Sequence, residues 1–127
     1  MEIRLLPVLA DNYVFFIINP DNAETVIVDP GAGPPVLKYL KEQQLKAVAI
    51  WNTHHHWDHI GGNTFLADQL PGIAVFCGAE DRSRIDRVTR TVRDGESFDL
   101  WGRQVQALAV PGHTVGHVAY VIDSQQA

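Results

Sequence analysis

Four of the six histidines in this 127-residue chain lie within one short segment, residues 54–59, which reads His-His-His-Trp-Asp-His. The other two, His113 and His117, share a second segment that reads Pro-Gly-His-Thr-Val-Gly-His. Imidazole and carboxylate groups are the common protein ligands of zinc and related divalent ions. Two histidine clusters, with Asp58 inside the first, therefore predict a metal site.

The spacing within the first segment can serve two ions. Alternate side chains of an extended backbone point the same way, so His54 and His56 can face one ion while His55 faces elsewhere. Asp58 and His59 follow a turn and can face a second ion, and the second histidine segment can complete the first set. Three neutral imidazoles with one open position are typical of a catalytic zinc site. Two ions about 3.5–4 Å apart would hold a hydroxide as the nucleophile.

Other interpretations of the first segment fit less well. A helix would place His55 and His59 at i and i+4, as in zincin metalloproteases, but that chemistry requires Glu where this sequence has His56. An affinity tag does not fit an internal cluster that contains Asp58. Hydrogen-bonded core histidines explain a lone histidine better than four within six residues.

The elements that must position these residues indicate an α/β (α+β) fold. An almost wholly apolar run at residues 47–51 directly precedes the first histidine segment and is typical of a strand covered on both faces. Further strands are predicted at residues 3–9, 13–18, 25–28, 73–76, 97–101, 103–110 and 117–122, with an extended piece at 88–92. Helices are predicted at residues 34–44 and between Gly62 and Pro71, with a helical turn at 78–86. This order predicts layers of helices and mixed sheet.

Composition limits the classes of function. A 46% apolar and 20% charged chain of this length is one ordinary globular domain at most. The net charge of −5 argues against a nucleic-acid partner, and no window is apolar enough for a membrane partner. A single cysteine, Cys77, excludes an internal disulfide and fits a reducing compartment. With no secretory pattern at the start, a cytoplasmic location is expected.

Five arginines, half of the ten Lys and Arg residues, fall between residues 82 and 93. Asp81, Asp86 and Asp94 are interspersed with or flank them. This pattern predicts a solvated charged face, and a patch for an anionic ligand is the alternative.

The segment at residues 53–63, Thr-His-His-His-Trp-Asp-His-Ile-Gly-Gly-Asn, resembles the H-x-H-x-D-H signature of the metallo-β-lactamase superfamily. Within it, the triple His with Trp57, the segment at 111–117 and Asp-Asn-Tyr at 11–13 are similar to the glyoxalase II (hydroxyacylglutathione hydrolase) family. The resemblance runs from the first predicted strand to the last residue. It implies the superfamily's αββα sandwich, here its first half, a mixed sheet with flanking helices.

The resemblance also implies a ligand set. His54, His56 and His113 would bind the first metal. Asp58 and His59 would bind the second, and Asp58 would act catalytically with the metal-bound hydroxide. The full-length enzyme would hold two zinc ions, although iron or manganese suits the same ligands.

Residues around the ligands are carried over as supports. Thr114 and His117 would brace the His113 loop, since metal-bound histidines need hydrogen-bonding partners. Asp29 matches a family aspartate near the site, while its other interpretation is a turn former before Pro30. His55 would not be a ligand.

The implied activity is hydrolysis of a glutathione thioester, S-D-lactoylglutathione, to D-lactate and glutathione, in methylglyoxal detoxification. A thiol has a pKa near ~8.5, so the leaving thiolate needs no separate general acid. The open alternatives are a persulfide dioxygenase with one iron on His54 and His113, and a metal-binding fragment without catalysis. Trp57 favours the hydrolase.

The family pattern extends further than this sequence. A bridging aspartate, another histidine and glutathione-binding residues in a helical domain have no counterpart here. We therefore expect residues 1–127 to be a partial metallo-β-lactamase-like domain, with the C-terminal half and the helical substrate domain absent and activity impaired. We also expect one uncovered sheet face, through which the chain would self-associate or pair with a second polypeptide.

Overall fold

The computed structural model describes residues 1–9, 12–110 and 117–122. The strands are β1 (Glu2–Val8), β2 (Asn12–Ile18), β3 (Glu24–Val28), β4 (Lys46–Trp51), β5 (Ala74–Gly78), β6 (Arg90–Val92), β7 (Ser97–Leu100), β8 (Arg103–Ala109) and β9 (Val118–Ile122). The helices are α1 (Gly33–Glu42), α2 (Trp57–Ile60) and α3 (Asn63–Gln69), with a 3-10 helix over Ala79–Arg84.

Most predicted elements match these boundaries within a few residues. The single turn α2 was not predicted, and it begins at Trp57, so His55 and His59 do not share a helix as the zincin pattern would require. The extended piece predicted at 88–92 is a strand only over β6.

Two sheets are present in the described part of the chain. The larger has the order β1-β2-β3-β4-β5-β6, antiparallel from β1 to β3 and parallel from β3 to β6. The smaller is the antiparallel sheet β7-β8-β9. Parallel neighbours need a crossover, and α1 and α3 lie in the β3–β4 and β4–β5 connections. The prediction of an α/β class with mixed sheet and flanking helices is confirmed.

Two hydrophobic cores lie on the two faces of the larger sheet. The helical side is packed by Val14, Phe16, Ile27, Val36, Leu40, Ile50, Leu66 and Val75, among others. The other side, against the smaller sheet, is packed by Ile17, Val26, Trp51, Phe76, Val92, Val105, Ala107 and Val118, among others. The described chain therefore forms three layers, helices, six-stranded sheet and three-stranded sheet.

Strand β4 is covered on both faces, as predicted from its apolar run. Ile50 is fully buried against the helices, and Trp51 is 1% exposed on the other face. The Trp51 ring stacks on Tyr120 at 4.9 Å between centroids and meets Phe98 edge-on at 5.5 Å. This packing fixes the carboxyl end of β4, where the histidine segment begins.

One part of the larger sheet is not covered by other described residues. Leu5 lies opposite Phe15 across β1 and β2, and Ile3 and Tyr13 follow on the same face by strand alternation. These four side chains are between 43% and 59% exposed. We call them the β1–β2 apolar patch. The patch lies on the same face of the larger sheet as Ile17, which packs in the core between the two sheets.

Within the ranges described, every helix is too short or too polar to cross a membrane.

Candidate metal centre

The histidine segment is anchored immediately after β4 by a buried pair of amides. Asn52 and Asn63 are 0% and 1% exposed, and Asn63 Nδ2 donates to Asn52 Oδ1 at 2.6 Å. The Tyr120 hydroxyl donates to the Asn52 carbonyl at 2.9 Å. Buried amides are stable only when they are hydrogen-bonded, so this network fixes where the segment leaves β4 and where α3 begins.

The two histidine segments meet through β9. The Val118 N–H donates to the Thr53 carbonyl at 2.8 Å, which holds the start of β9 against the start of the first segment. The rings of His54 and His117 consequently stack with centroids 4.6 Å apart. His113 and Thr114 lie outside the described residues, so their predicted roles as ligand and brace stay predictions.

Asp29 follows β3 with a left-handed backbone, φ 54°, which aspartate adopts more readily than most residues. Its carboxylate is buried and accepts two hydrogen bonds from Thr53, one from the backbone N–H at 2.8 Å and one from the hydroxyl at 2.6 Å. Its own N–H donates to the Trp51 carbonyl at 3.0 Å. These bonds stabilise the left-handed backbone of Asp29, a conformation that costs of order 1 kcal/mol or more in a non-glycine residue without such contacts. The turn before Pro30 is thus built around the first histidine segment.

The Thr53 hydroxyl connects Asp29 to His54. A carboxylate only accepts, so the single hydroxyl proton goes to Asp29. The Thr53 oxygen, 2.8 Å from His54 Nδ1, must then accept a hydrogen bond from the N–H of that nitrogen. His54 is therefore fixed as the Nδ1–H tautomer, which leaves Nε2 unprotonated and able to bind a metal.

Four histidine rings gather at this point. The His54 ring lies 4.1 Å from His59 and 4.9 Å from His56, in addition to its stack on His117. Ligand atoms of Asp29, His54 and His59 all lie within 4.8 Å of one another. This group takes one residue from each predicted ligand set and adds the aspartate expected to support them. The division of ligands between two ions stays a prediction.

The surroundings shift the pKa values of His54 and His59 in opposite directions. Burial lowers the pKa of His54 to about 4, and the neighbouring His59 imidazole adds to the shift. The Asp29 carboxylate, with an oxygen 3.2 Å from His59 Nδ1, raises the pKa of His59 above its ordinary 6.5. At neutral pH His54 is therefore neutral, the form that binds metal.

Asn12 and Gly31 position the turn that carries Asp58. Asn12 Nδ2 donates to the Asp58 carbonyl at 2.8 Å and to its carboxylate at 3.0 Å. A Cβ on Gly31 would collide with the same carbonyl, so only glycine permits this approach. The residue types alone did not predict this contact. The Asp-Asn-Tyr resemblance was the signal that pointed to it.

His55 is directed to a different partner. Its Nδ1 lies 3.1 Å from Oδ1 of Asp81, a residue with 0% exposure on the 3-10 helix. The prediction that Asp81 belongs to a solvated face is wrong, because the 3-10 helix turns this carboxylate inward. The arginines around it do form surface pairs, Arg87 with Asp68 and Arg90 with Glu96.

The donor chemistry of this cluster fits a divalent ion. Neutral imidazole and carboxylate are zinc, iron and manganese ligands. His59 Nδ1 is buried and, although close to Asp29, makes no hydrogen bond of ordinary geometry with any described residue. A buried nitrogen of this kind is suited to a metal bond or a reoriented hydrogen bond.

Residues 9–125 match the family model described as the metallo-beta-lactamase superfamily. The chain belongs to the metallo-β-lactamase superfamily. Solved structures agree with this fold. The B3 metallo-beta-lactamase BLEG-1 aligns with a TM-score of 0.84 at 23% identity, over 95% of this chain and 67% of its own. ETHE1 from Myxococcus xanthus aligns with a TM-score of 0.80 at 25% identity, over 96% and 54%.

Curated relatives within the superfamily carry a more specific name. The hydroxyacylglutathione hydrolase of Cyanothece sp. is 44% identical over 120 residues, which are 94% of this chain and 47% of that protein. The enzyme of the same name from Nostoc punctiforme is 40% identical over 127 residues, 100% and 49%. The chain spans about half the length of the curated relatives it matches. Both the predicted superfamily and the predicted resemblance are confirmed.

Proposed function

We propose that this chain is the metal-holding part of a hydrolase that cleaves a glutathione thioester, S-D-lactoylglutathione, to D-lactate and glutathione. The observation that carries the proposal is the hydrogen-bond chain from Asp29 through Thr53 to His54, which presents an unprotonated imidazole nitrogen beside His59. The name shared by the curated relatives, hydroxyacylglutathione hydrolase, supports the substrate class. A role in methylglyoxal detoxification is part of the same proposal.

A divalent ion, with zinc proposed and iron or manganese suited to the same donors, would polarise the thioester carbonyl and lower the pKa of water to about 7. We propose that His54, His56 and His113 hold the first ion, and that Asp58 and His59 hold the second. Asp58 would also act on the attacking water.

The chain's other residues prepare these donors. Asp29 and Thr53 orient His54 and keep its Nε2 unprotonated. Asn12 holds the Asp58 carboxylate through its amide. His117 lies against the His54 ring, in keeping with a bracing role that we propose it shares with Thr114.

We further propose that residues 1–127 form a partial metallo-β-lactamase-like domain with impaired activity. The fraction of the curated relatives that the chain spans, 47–49%, supports this. The exposed β1–β2 apolar patch supports the related proposal of self-association. The buried, unpaired thiol of Cys77 is compatible with the cytoplasm as the place of action.

Metal analysis and a thioesterase assay on the 127-residue chain test the proposal. After zinc loading and desalting, we expect about one ion per chain and slow loss of the thioester absorbance of S-D-lactoylglutathione. His54→Ala should abolish both, whereas Asp68→Ala, which changes an exposed carboxylate, should change neither. Two tightly held ions with rapid turnover would contradict impairment, and absence of bound metal would contradict the proposed function.

The dioxygenase alternative is separated by a second assay. The chain is loaded with Fe²⁺ under anaerobic conditions and then assayed in aerated buffer with glutathione persulfide. A persulfide dioxygenase would consume oxygen in this assay. We expect no oxygen consumption above that of His54→Ala. Metal binding with neither activity would favour a fragment without catalysis.

A further inference from the structure

Asp81 is a buried carboxylate that the proposed mechanism does not use. It has 0% exposure, and its Oδ1 lies 3.1 Å from His55 Nδ1 and 3.3 Å from Arg84 Nη1. Its Oδ2 is buried without a hydrogen bond to any described residue. Burying a carboxylate costs several kcal/mol unless it is paired. Such a group is expected to have a specific partner, and its only described partners are His55 and Arg84.

The sheet topology explains why Asp81 meets the histidine segment. Strands β4 and β5 are parallel, with Trp51 opposite Phe76, so both carboxyl ends lie at the same edge. The Asn52 N–H donates to the Phe76 carbonyl at 2.8 Å and extends this pairing past β4. The 3-10 helix after β5 therefore lies beside the segment after β4, and His55 is within reach of Asp81.

The contact determines how His55 is oriented. Because a carboxylate only accepts hydrogen bonds, His55 Nδ1 carries the proton and donates a hydrogen bond to Asp81. Alternation along the segment points His55 away from His54 and His56, and the bond to Asp81 holds in that direction an imidazole that could otherwise compete as a metal ligand. The bond directs His55 Nδ1 to Asp81, while the His55 ring centroid stays 5.4 Å from that of His56. Neither His55 nor His56 belongs to the close group of Asp29, His54 and His59.

We infer that Asp81 is a positioning residue that holds His55 away from the metal, so that only its neighbours in the segment are presented as ligands. The inference rests on the proposed metal-dependent function. A role confined to stabilising the 3-10 helix is the competing explanation, since Asp81 also pairs with Arg84 within that helix.

Cobalt binding distinguishes the two explanations, because the visible spectrum of Co²⁺ reports the number and geometry of imidazole ligands. We expect Asp81→Ala to change the spectrum of the 127-residue chain, because a released His55 imidazole can join or replace the native ligands. His55→Asn should keep the wild-type spectrum, because the Asn amide can donate to Asp81 from a similar position.

The double variant His55→Ala/Asp81→Ala is the decisive arm. If Asp81 only restrains His55, removing the restrained imidazole should restore the wild-type spectrum. A double variant as altered as Asp81→Ala, or an Asp81→Ala spectrum identical to wild type, would overturn the inference. Asp68→Ala is the matched control for loss of a carboxylate and should leave the spectrum unchanged.

Two further measurements keep the test decisive. Nitrogen NMR of the metal-free chain should find His55 as the Nδ1–H tautomer in the wild type and not in Asp81→Ala. If circular dichroism finds Asp81→Ala unfolded, Asp81→Asn replaces it, with a smaller spectral change in the same direction expected from a neutral acceptor. Failure of the wild type to bind Co²⁺ would count against the proposed function, whereas wild-type binding with no Asp81 effect counts against this inference alone.

Discussion

The Asp29 carboxylate accepts two hydrogen bonds from Thr53, one from its backbone N–H and one from its hydroxyl. The two residues lie at the carboxyl ends of neighbouring parallel strands, β3 and β4. This pair determines which nitrogen of His54 is available, so a residue predicted to support the site controls the chemistry of a predicted ligand.

Replacing Thr53 by Val should lower metal affinity. Valine keeps the shape of the side chain but removes the hydroxyl, so His54 loses its tautomer restraint and the Asp29 carboxylate loses one hydrogen-bond donor. We expect a 10–100-fold weaker affinity for Zn²⁺ in competition with a chelator. Thr53→Ser, which keeps the hydroxyl, should stay close to wild type. Equal affinities for the Val and Ser variants would contradict the orienting role.

The metal-free chain should show two histidines that titrate far apart. Histidine NMR should find His54 protonating near pH 4 and His59 above its ordinary 6.5. The pKa of His54 is depressed in the folded chain. Between pH 6.5 and 4, His54 is therefore protonated to a greater extent in the unfolded chain than in the folded one. The contribution of His54 to the free energy of unfolding therefore falls as pH drops through that window.

His59 has the opposite linkage. Its raised pKa stabilises the fold below pH 6.5, and this contribution is lost as pH rises through the folded value. The His54 contribution can be tested by measuring the free energy of unfolding in urea at pH 6.5 and 4.5. The difference between the two pH values should be smaller for His54→Gln than for wild type. A larger loss of unfolding free energy in His54→Gln than in wild type would contradict the depressed pKa assigned to His54.

Gly31→Ala should disturb α2 through steric overlap. The added methyl would collide with the Asp58 carbonyl, and overpacking of this kind costs about 1–3 kcal/mol of unfolding free energy. Gly72→Ala is a control in open space, where only the positive φ of 85° is unfavourable, at about 1 kcal/mol. Denaturant unfolding should find Gly31→Ala more destabilised than Gly72→Ala. A metal-binding measurement should find weakened affinity only in Gly31→Ala.

Cys77 should be chemically inert in the folded chain. The thiol is fully buried, and burial, with the Asp81 charge as a smaller cause, raises its pKa to about 11. Because thiolate is the reactive form, a thiol reagent should label Cys77 only at the rate of unfolding. Labelling in seconds without denaturant would show that the core around β5 opens readily.

The β1–β2 apolar patch should drive self-association. Sedimentation of the wild type should show concentration-dependent association, and Leu5→Lys should reduce it by placing a charge at the centre of the patch. Leu108→Lys is the matched control, since Leu108 is an exposed apolar residue on β8, outside the patch. A monomeric wild type at all concentrations would exclude this interaction.

The elements of the fold were predictable because each strand and helix of the core carries a continuous or periodic apolar run. The β4 run of residues 47–51, for example, has no polar interruption, and its burial on both faces followed from that alone. The one-turn helix α2 is different. It has no fully buried residue, so no apolar period marks it.

The site was predictable in its residue types but not in its contacts. His54 and His59 could be named because histidine is rare and clustered here. The partners Asn12 and Asp81 lie 46 and 26 residues from Asp58 and His55, and nothing in the local sequence specifies which strand ends will adjoin. Asp81 was assigned to the surface because its neighbours are charged, whereas the turn of the 3-10 helix decides its burial.

The order of the strands has a consequence for how the protein folds. Asp29 and Thr53 lie 24 positions apart in the sequence, with α1 between them, so they can meet only after β3 and β4 have paired in parallel across that crossover. Such non-local pairing forms late, because loop closure precedes any gain in contacts. In an unfolded chain His54 would lack the Thr53 contact that orients it. The moment at which metal becomes tightly held should therefore report completion of the parallel sheet.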